Sequence, residues 1–124
     1  MSSAGFADAL GATDLCTAFA HTVARVPDRP AMRSSDGAVT LTWAEVDKVV
    51  RAAAGGLRAL GVGTGGTVAM MLTNRYEAAV IDLATLHLGA VPLSVYNSSS
   101  IAQLAYLFED SRADVVSAVV RCTP

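Results

Sequence analysis

Residues 86–96 (LHLGAVPLSVY) commit the chain to a helix, a one-residue reversal and a strand. Upstream, from residue 76 to residue 88, apolar side chains occupy every side of a 3.6-residue period. Tyr76, Ala79, Val80, Leu83 and His87 form one stripe, and Ile81, Ala84 and Leu88 another. A helix apolar all round is expected to be buried on both sides. Gly89 follows the last periodic residue, where helix C-termini commonly need positive φ, so it marks the stop. Pro92 interrupts the run 90–95 and restricts that strand to a sheet edge, a strand start or a place where its missing N–H is not needed.

The remaining segments arrange themselves around this pattern. Residues 1–13 are small and polar without a period and read as a loose end; residues 14–118 read as one domain. Leu15, Phe19, Thr22, Val23 and Val26 recur at helical spacing behind Thr13 or Asp14 as N-cap, and the helix stops before Pro27. Asp36-Gly37 between the short runs 31–33 and 39–41 signals a hairpin. Thr42 and Glu45 spell a capping box, followed by an amphipathic stripe of Val46, Val49, Val50, Ala53, Leu57 and Leu60. Gly55 and Gly56 lie inside that helix at about 1 kcal/mol each relative to Ala, which we read as allowing close helix packing. Asn74 with Glu77, and Ser100 with Gln103, repeat the capping logic, the latter before Ile101, Leu104, Leu107 and Phe108. Helices starting near 42, 74 and 100 thus alternate with strands near 67, 91 and 115. The fold class is α/β: βαβ units with a mostly parallel sheet covered by helices.

Hydrophobic residues make up 52% of the 124 residues and charged ones 16%, against about 25% charged in an ordinary domain. So little charge suggests that part of the surface meets more protein. The net charge of −2 and scattered basic residues exclude a nucleic-acid footprint. No apolar stretch is long enough for a transmembrane segment. With no signal-peptide pattern in residues 1–11, a reducing cytoplasm is expected, and Cys16 and Cys122 are expected to be free thiols.

Few residues suggest chemistry. His87 on a buried helix has no His, Cys or carboxylate at metal-ligand spacing, Asp82 lying on another face, so it reads as a satisfied core or subunit-contact histidine. His21 on a surface-type helix is assigned nothing. Cys16 lacks the base and electropositive setting of a nucleophile and reads as a small buried hydrophobe. Ser98, Ser99 and Ser100 gather hydroxyls at a helix start, but without glycine or lysine they read as capping, not a phosphate cradle. Asn97 to Ser99 matches a glycosylation pattern that has no meaning without secretion. Residues 61–66 (GVGTGG) spell G-x-G-x-x-G, yet a helix precedes and a strand follows, the inverse of the dinucleotide-binding order, so a helix-to-strand turn is the reading. No catalytic, cofactor-binding, substrate-binding or metal residue is assigned.

Residues 41–46 (LTWAEV) and 86–93 (LHLGAVPL) resemble the first two core motifs of the AMP-forming acyl-CoA synthetases, L-[TS]-[YW]-x-E-[LV] and, with a shortened middle, L-x-x-G-A-x-x-x-P-[LI]. Residues 95–111 (VYNSSSIAQLAYLFEDS) resemble the long-chain fatty-acyl-CoA ligase branch, and the likeness covers roughly residues 15–116. The resemblance implies the N-terminal subdomain of the adenylate-forming fold and a whole enzyme that uses ATP, Mg²⁺ and CoA to carry fatty acids through an acyl-adenylate to acyl-CoA. It places the phosphate loop, ribose-binding acid and catalytic lysine downstream of Pro124. This chain is therefore expected to bind none of those cofactors and to be inactive alone. Gly66 stands where the family usually has Asp, which weakens the case for an intact turn there. Residues 119–124 leave the family pattern and read as a divergent tail, as after a lost reading frame or early stop. Expected partners are a complementing C-terminal ligase fragment or an intact ligase. The alternatives are a non-catalytic docking module and a translated remnant.

Overall fold

A computed structural model describes residues 11–118; the expectations for residues 1–10, for 119–124 and for Cys122 lie outside them. The chain divides into two compact units, 1–52 and 53–124, each described by itself.

In the first unit, α1 (Leu15–Arg25) starts where the Asp14 carboxylate accepts the Thr17 N–H at 2.8 Å, and ends where the Val26 N–H donates to the Thr22 carbonyl ahead of Pro27. β1 (Pro30–Arg33) and β2 (Thr40–Thr42) form the expected antiparallel hairpin, with Arg33 opposite Thr40. Asp36 accepts the Ala38 N–H and the Gly37 N–H donates to the Ser34 carbonyl, which closes the turn. α2 (Trp43–Ala59) opens on the full capping box. The Thr42 N–H donates to Glu45 Oε2 at 2.7 Å, and the Glu45 N–H to Thr42 Oγ1 at 3.2 Å. The next two amides, of Trp43 and Ala44, donate to the carbonyls of Arg29 and Pro27. Phe19 and Trp43 pack as tilted rings, centroids 6.1 Å apart, and Phe19, Val46 and Val50 are buried.

Two expectations for α2 are corrected. Val49 and Leu60 are exposed: Val49 lies about 60° round the helix from Val46 at 100° per residue, and Leu60 falls in the turn beyond the last helical residue. Gly55 and Gly56 are also exposed, with nothing within 4 Å of where a Cβ would sit, so they serve no close packing among the described residues.

The second unit is a three-stranded parallel sheet in the order β4-β3-β5, built from β3 (Thr67–Met71), β4 (Val91–Ser94) and β5 (Val115–Ala118). The connections are α3 (Tyr76–His87) and α4 (Ile101–Ser111), so the βαβ alternation is as expected. Val68, Ala69 and Met70 of the central strand are buried. The Val91 and Val95 amides donate to the carbonyls of Gly66 and Met70. Backbone direction alternates along a strand, so β4 faces β3 through residues 91, 93 and 95 and turns the Pro92 nitrogen outward. The proline sits on an edge strand, with no ladder bond lost.

Helices return to strands by one repeated device. The Val62, Ala90 and Ala113 amides reach back five residues to the carbonyls of Leu57, Thr85 and Phe108, while those of Gly61, Gly89 and Arg112 reach back three. This is the Schellman pattern. Gly89 stops α3 as expected, at φ +71°.

Two further expectations are corrected. α3 is not buried on both sides: Val80, Ala84 and Thr85 are buried, whereas Ile81, Leu83 and Leu86 are half-buried, because a single sheet layer covers only one side of a helix. Asn74 does not cap it. The N-cap is Arg75, without a side-chain bond, which shifts Glu77 to the second helical position, where the Arg75 guanidinium meets it at 3.2 Å. On α4 the Ser100–Gln103 box forms, but Ile101 is exposed and Leu104, Leu107 and Phe108 are only half-buried.

Candidate functional site

An open groove of about 690 Å³ lies between the end of β4 and α4. Tyr96, Ser98 and Ser99 of the connecting loop form one wall, and Ala102, Gln103, Tyr106 and Leu107 the other. The loop reaches α4 through Ser100, whose Oγ accepts the Gln103 N–H at 3.2 Å while Gln103 Oε1 accepts the Ser100 N–H at 2.8 Å. Capping is thus what this serine does. The groove offers hydroxyls, one amide and aromatic surface, and none of these residues is a carboxylate, histidine, lysine or cysteine. It can bind, but it holds no nucleophile paired with a base. The two tyrosines were missed in the sequence, because ten residues and a loop separate them and no period relates them.

The other candidates lie elsewhere. His87, expected as a core or subunit-contact histidine, is exposed in the last turn of α3 and so is not a core residue. Its Nδ1 lies 2.6 Å from the Leu83 carbonyl, which only accepts, so that nitrogen carries the proton. Cys16 is half-buried; desolvation pushes its thiol up, and the nearby Asp14 carboxylate adds to the shift. A thiol held protonated is a poor nucleophile. Thr17 holds the Asp14 carboxyl below the usual range through backbone and side-chain hydrogen bonds, in keeping with its capping role. Among the described residues, no three His, Cys, Asp or Glu gather to hold a metal ion.

The glycine-rich turn 61–66 is the place to test a fit to nucleotide phosphates, because such loops hold phosphate by free backbone amides. Four of its six amides are committed within the protein: Gly61 donates to Arg58, Val62 to Leu57, Gly65 to Gly89 and Gly66 to Gly63, all at 2.9–3.1 Å. The turn is intact despite the glycine at 66. A Cβ there would lie 2.6 Å from Asp114 Oδ2, and this carboxylate accepts the Thr67 N–H at 3.1 Å. An aspartate 48 positions further on thus fills the space beside Gly66. The turn leads from α2 into β3, so it offers no helix N-terminus to a phosphate.

The family model described as "AMP-binding enzyme" matches residues 19–123. The chain belongs to the AMP-binding enzyme family. Uncharacterized protein Rv1549 of Mycobacterium tuberculosis is 40% identical to it over 104 residues, which are 84% of this chain and 59% of that one. The long-chain-fatty-acid–CoA ligase FadD15 of M. tuberculosis is 42% identical over 87 residues, 69% of this chain but 14% of the ligase. The N-terminal domain of FACL13 from M. tuberculosis superimposes with a TM-score of 0.76 at 23% identity, over 79% of this chain and 25% of that domain, and shows the shared fold. The chain therefore spans about three-fifths of the length of Rv1549 and about one-seventh of that of FadD15. Within the family its α/β architecture is that of the N-terminal domain of adenylate-forming enzymes, and it is related to the fatty acyl-CoA ligases.

Proposed function

We propose that this chain supplies opening scaffold of an ATP-dependent fatty-acid:CoA ligase and has no ligase activity alone. The observation that carries this is the turn 61–66, which runs from a helix into a strand and commits four of its six amides within the protein, so it lacks the helix N-terminus that grips a triphosphate. The whole enzyme would bring ATP, Mg²⁺ and CoA together for acyl-adenylate and then thioester formation. The transition-state charge of those steps needs aligned donors, a metal and a cation. The groove beside α4 is lined by no basic side chain and by no carboxylate that could hold a metal. A cytoplasmic location accords with a free Cys16. The test is to incubate the full chain with ATP, Mg²⁺, a long-chain fatty acid and CoA. We expect no acyl-CoA and no pyrophosphate above the blank, and ATP-dependent acyl-CoA formation would overturn the reading.

A second reading is a non-catalytic module that docks on an intact ligase or on a complementing ligase chain. Large side chains left in water favour it: Ile101 is 87% exposed and Tyr106 67%. Capture of a ligase polypeptide by the tagged chain supports this reading, and a pull-down without one counts against it.

A further inference from the structure

The sequence holds one Asp-Gly pair, Asp36-Gly37, and two asparagines, Asn74 and Asn97. At such residues the backbone nitrogen of the next residue can attack the side-chain carbonyl and close a five-membered imide. By sequence alone Asp36-Gly37 is the most open of the three, since glycine puts no side chain in the way. The structure reverses that order. The Gly37 N–H is given to the Ser34 carbonyl at 3.0 Å, so the nucleophile is engaged. Hydrogen bonds from the Ser34 hydroxyl and the Ala38 N–H hold the Asp36 carboxyl below its usual range. An ionised carboxylate is a poor electrophile. Asn97 has neither protection. The Ser99 N–H donates to the Tyr96 carbonyl at 3.1 Å and closes a turn over residues 96–99, whose two central residues, Asn97 and Ser98, are both exposed. Among the described residues, neither the Asn97 carboxamide nor the Ser98 N–H has a hydrogen-bond partner. Asn74 is exposed too, but the side chain of Arg75 crowds the nitrogen that would attack it.

We infer that Asn97 is a deamidation site of the folded chain. The Ser98 nitrogen, its proton taken by hydroxide, bonds to Asn97 Cγ. The bond from Cγ to the carboxamide nitrogen breaks, ammonia leaves and a succinimide remains. Water then opens the ring at either carbonyl and gives aspartate, or isoaspartate with the main chain running through Cγ. Either way a neutral amide becomes a carboxylate, and the net charge of −2 becomes more negative by one unit. Tyr96, Ser98 and Ser99 line the groove beside α4, whose lining has no carboxylate, and the reaction puts one at its rim. The new charge lies shortly before the Ser100 N-cap, where the positive end of the helix favours it. This inference goes beyond the ligase reading and does not rest on it.

The test is to hold the folded full chain at body temperature and mildly alkaline pH, with an unincubated sample as blank, and to follow it by ion exchange and by mass spectrometry of tryptic peptides. Trypsin cuts after Arg58, Arg75 and Arg112, so Asn74 falls in peptide 59–75 and Asn97 in peptide 76–112. The expected result is an acidic form of the chain and a gain of about 1 Da in the peptide that holds Asn97, ahead of any in the peptide that holds Asn74. Isoaspartate is expected at position 97 and not at Asp36. Asn97→Gln, whose attack would need a six-membered ring, is expected to abolish the acidic form. Ser98→Ile crowds the attacking nitrogen with a β-branched side chain and is expected to slow the reaction severalfold. Both positions are exposed, and circular dichroism with a thermal melt identifies variants that keep the fold. A sample in which Asn97 survives intact overturns the inference, as does one in which Asn74 or Asp36 reacts first. So does a folded Asn97→Gln variant that turns acidic like wild type, or a folded Ser98→Ile variant that reacts as fast.

Discussion

Two returns from helix to strand in the second unit lean on the same turn, 61–66, by different means. The α3–β4 return uses backbone alone: the Gly89 carbonyl accepts the Gly65 N–H at 2.9 Å, and the Val91 N–H donates to the Gly66 carbonyl at 2.8 Å. The α4–β5 return adds a side chain, for Asp114 gives its N–H to the Thr67 carbonyl and receives the Thr67 N–H on its carboxylate. At the reversal itself one has Gly89 at φ +71° and the other Arg112 at φ +51°. Backbone docking brings two chains close and selects the residue with no Cβ; Thr64 Oγ1 lies 3.2 Å from where one would stand on Gly89. At the α4–β5 return an ordinary residue, Arg112, holds the left-handed conformation, at a local conformational cost.

The largest effect should come from breaking the backbone-only return. Gly89→Ala forces a Cβ into a left-handed position and against Thr64, and we expect a loss of about 2 kcal/mol in urea unfolding of the full chain. Next is the side-chain return. Asp114→Ala removes one acceptor at the surface, for a loss of about 1 kcal/mol. Gly66→Ala should cost a similar amount, about 1 kcal/mol, by pushing that carboxylate aside. The double variant should lose less than the sum of the two, since one contact is being broken twice, and strictly additive losses would sink the pairing of Gly66 with Asp114. The smallest effect is a gain. Arg112→Gly relieves the left-handed backbone and should raise stability by roughly half a kcal/mol, read as a higher urea midpoint at unchanged slope.

The same contrast explains what could be read from the sequence. Gly89, Pro92, the Thr42–Glu45 and Ser100–Gln103 boxes and the Asp36-Gly37 hairpin act through neighbours within a few residues, so each left a local mark, and the parallel α/β order followed from them. Asp114 acts on Thr67 across 47 residues and had no such mark. Helix periodicity showed which residues are apolar but not how many layers exist to cover them, so α3 was read as more buried than it is. Arg75 displaced Asn74 as N-cap by a shift of one residue, which is within what capping patterns leave open. The groove beside α4 joins a loop to a helix face, an arrangement decided by the path of the chain after β4.

The start of α2 has a consequence for charge. The backbone amides of Thr42, Trp43, Ala44 and Glu45 each have an acceptor within the protein, namely Glu45 Oε2, the Arg29 and Pro27 carbonyls and Thr42 Oγ1. The positive end of the longest described helix dipole is therefore already neutralised by a resident carboxylate and by two carbonyls of the segment that leads into β1. An anion arriving from solvent would have to displace those bonds to settle there, so this end of the helix serves to hold the entry to the hairpin in place.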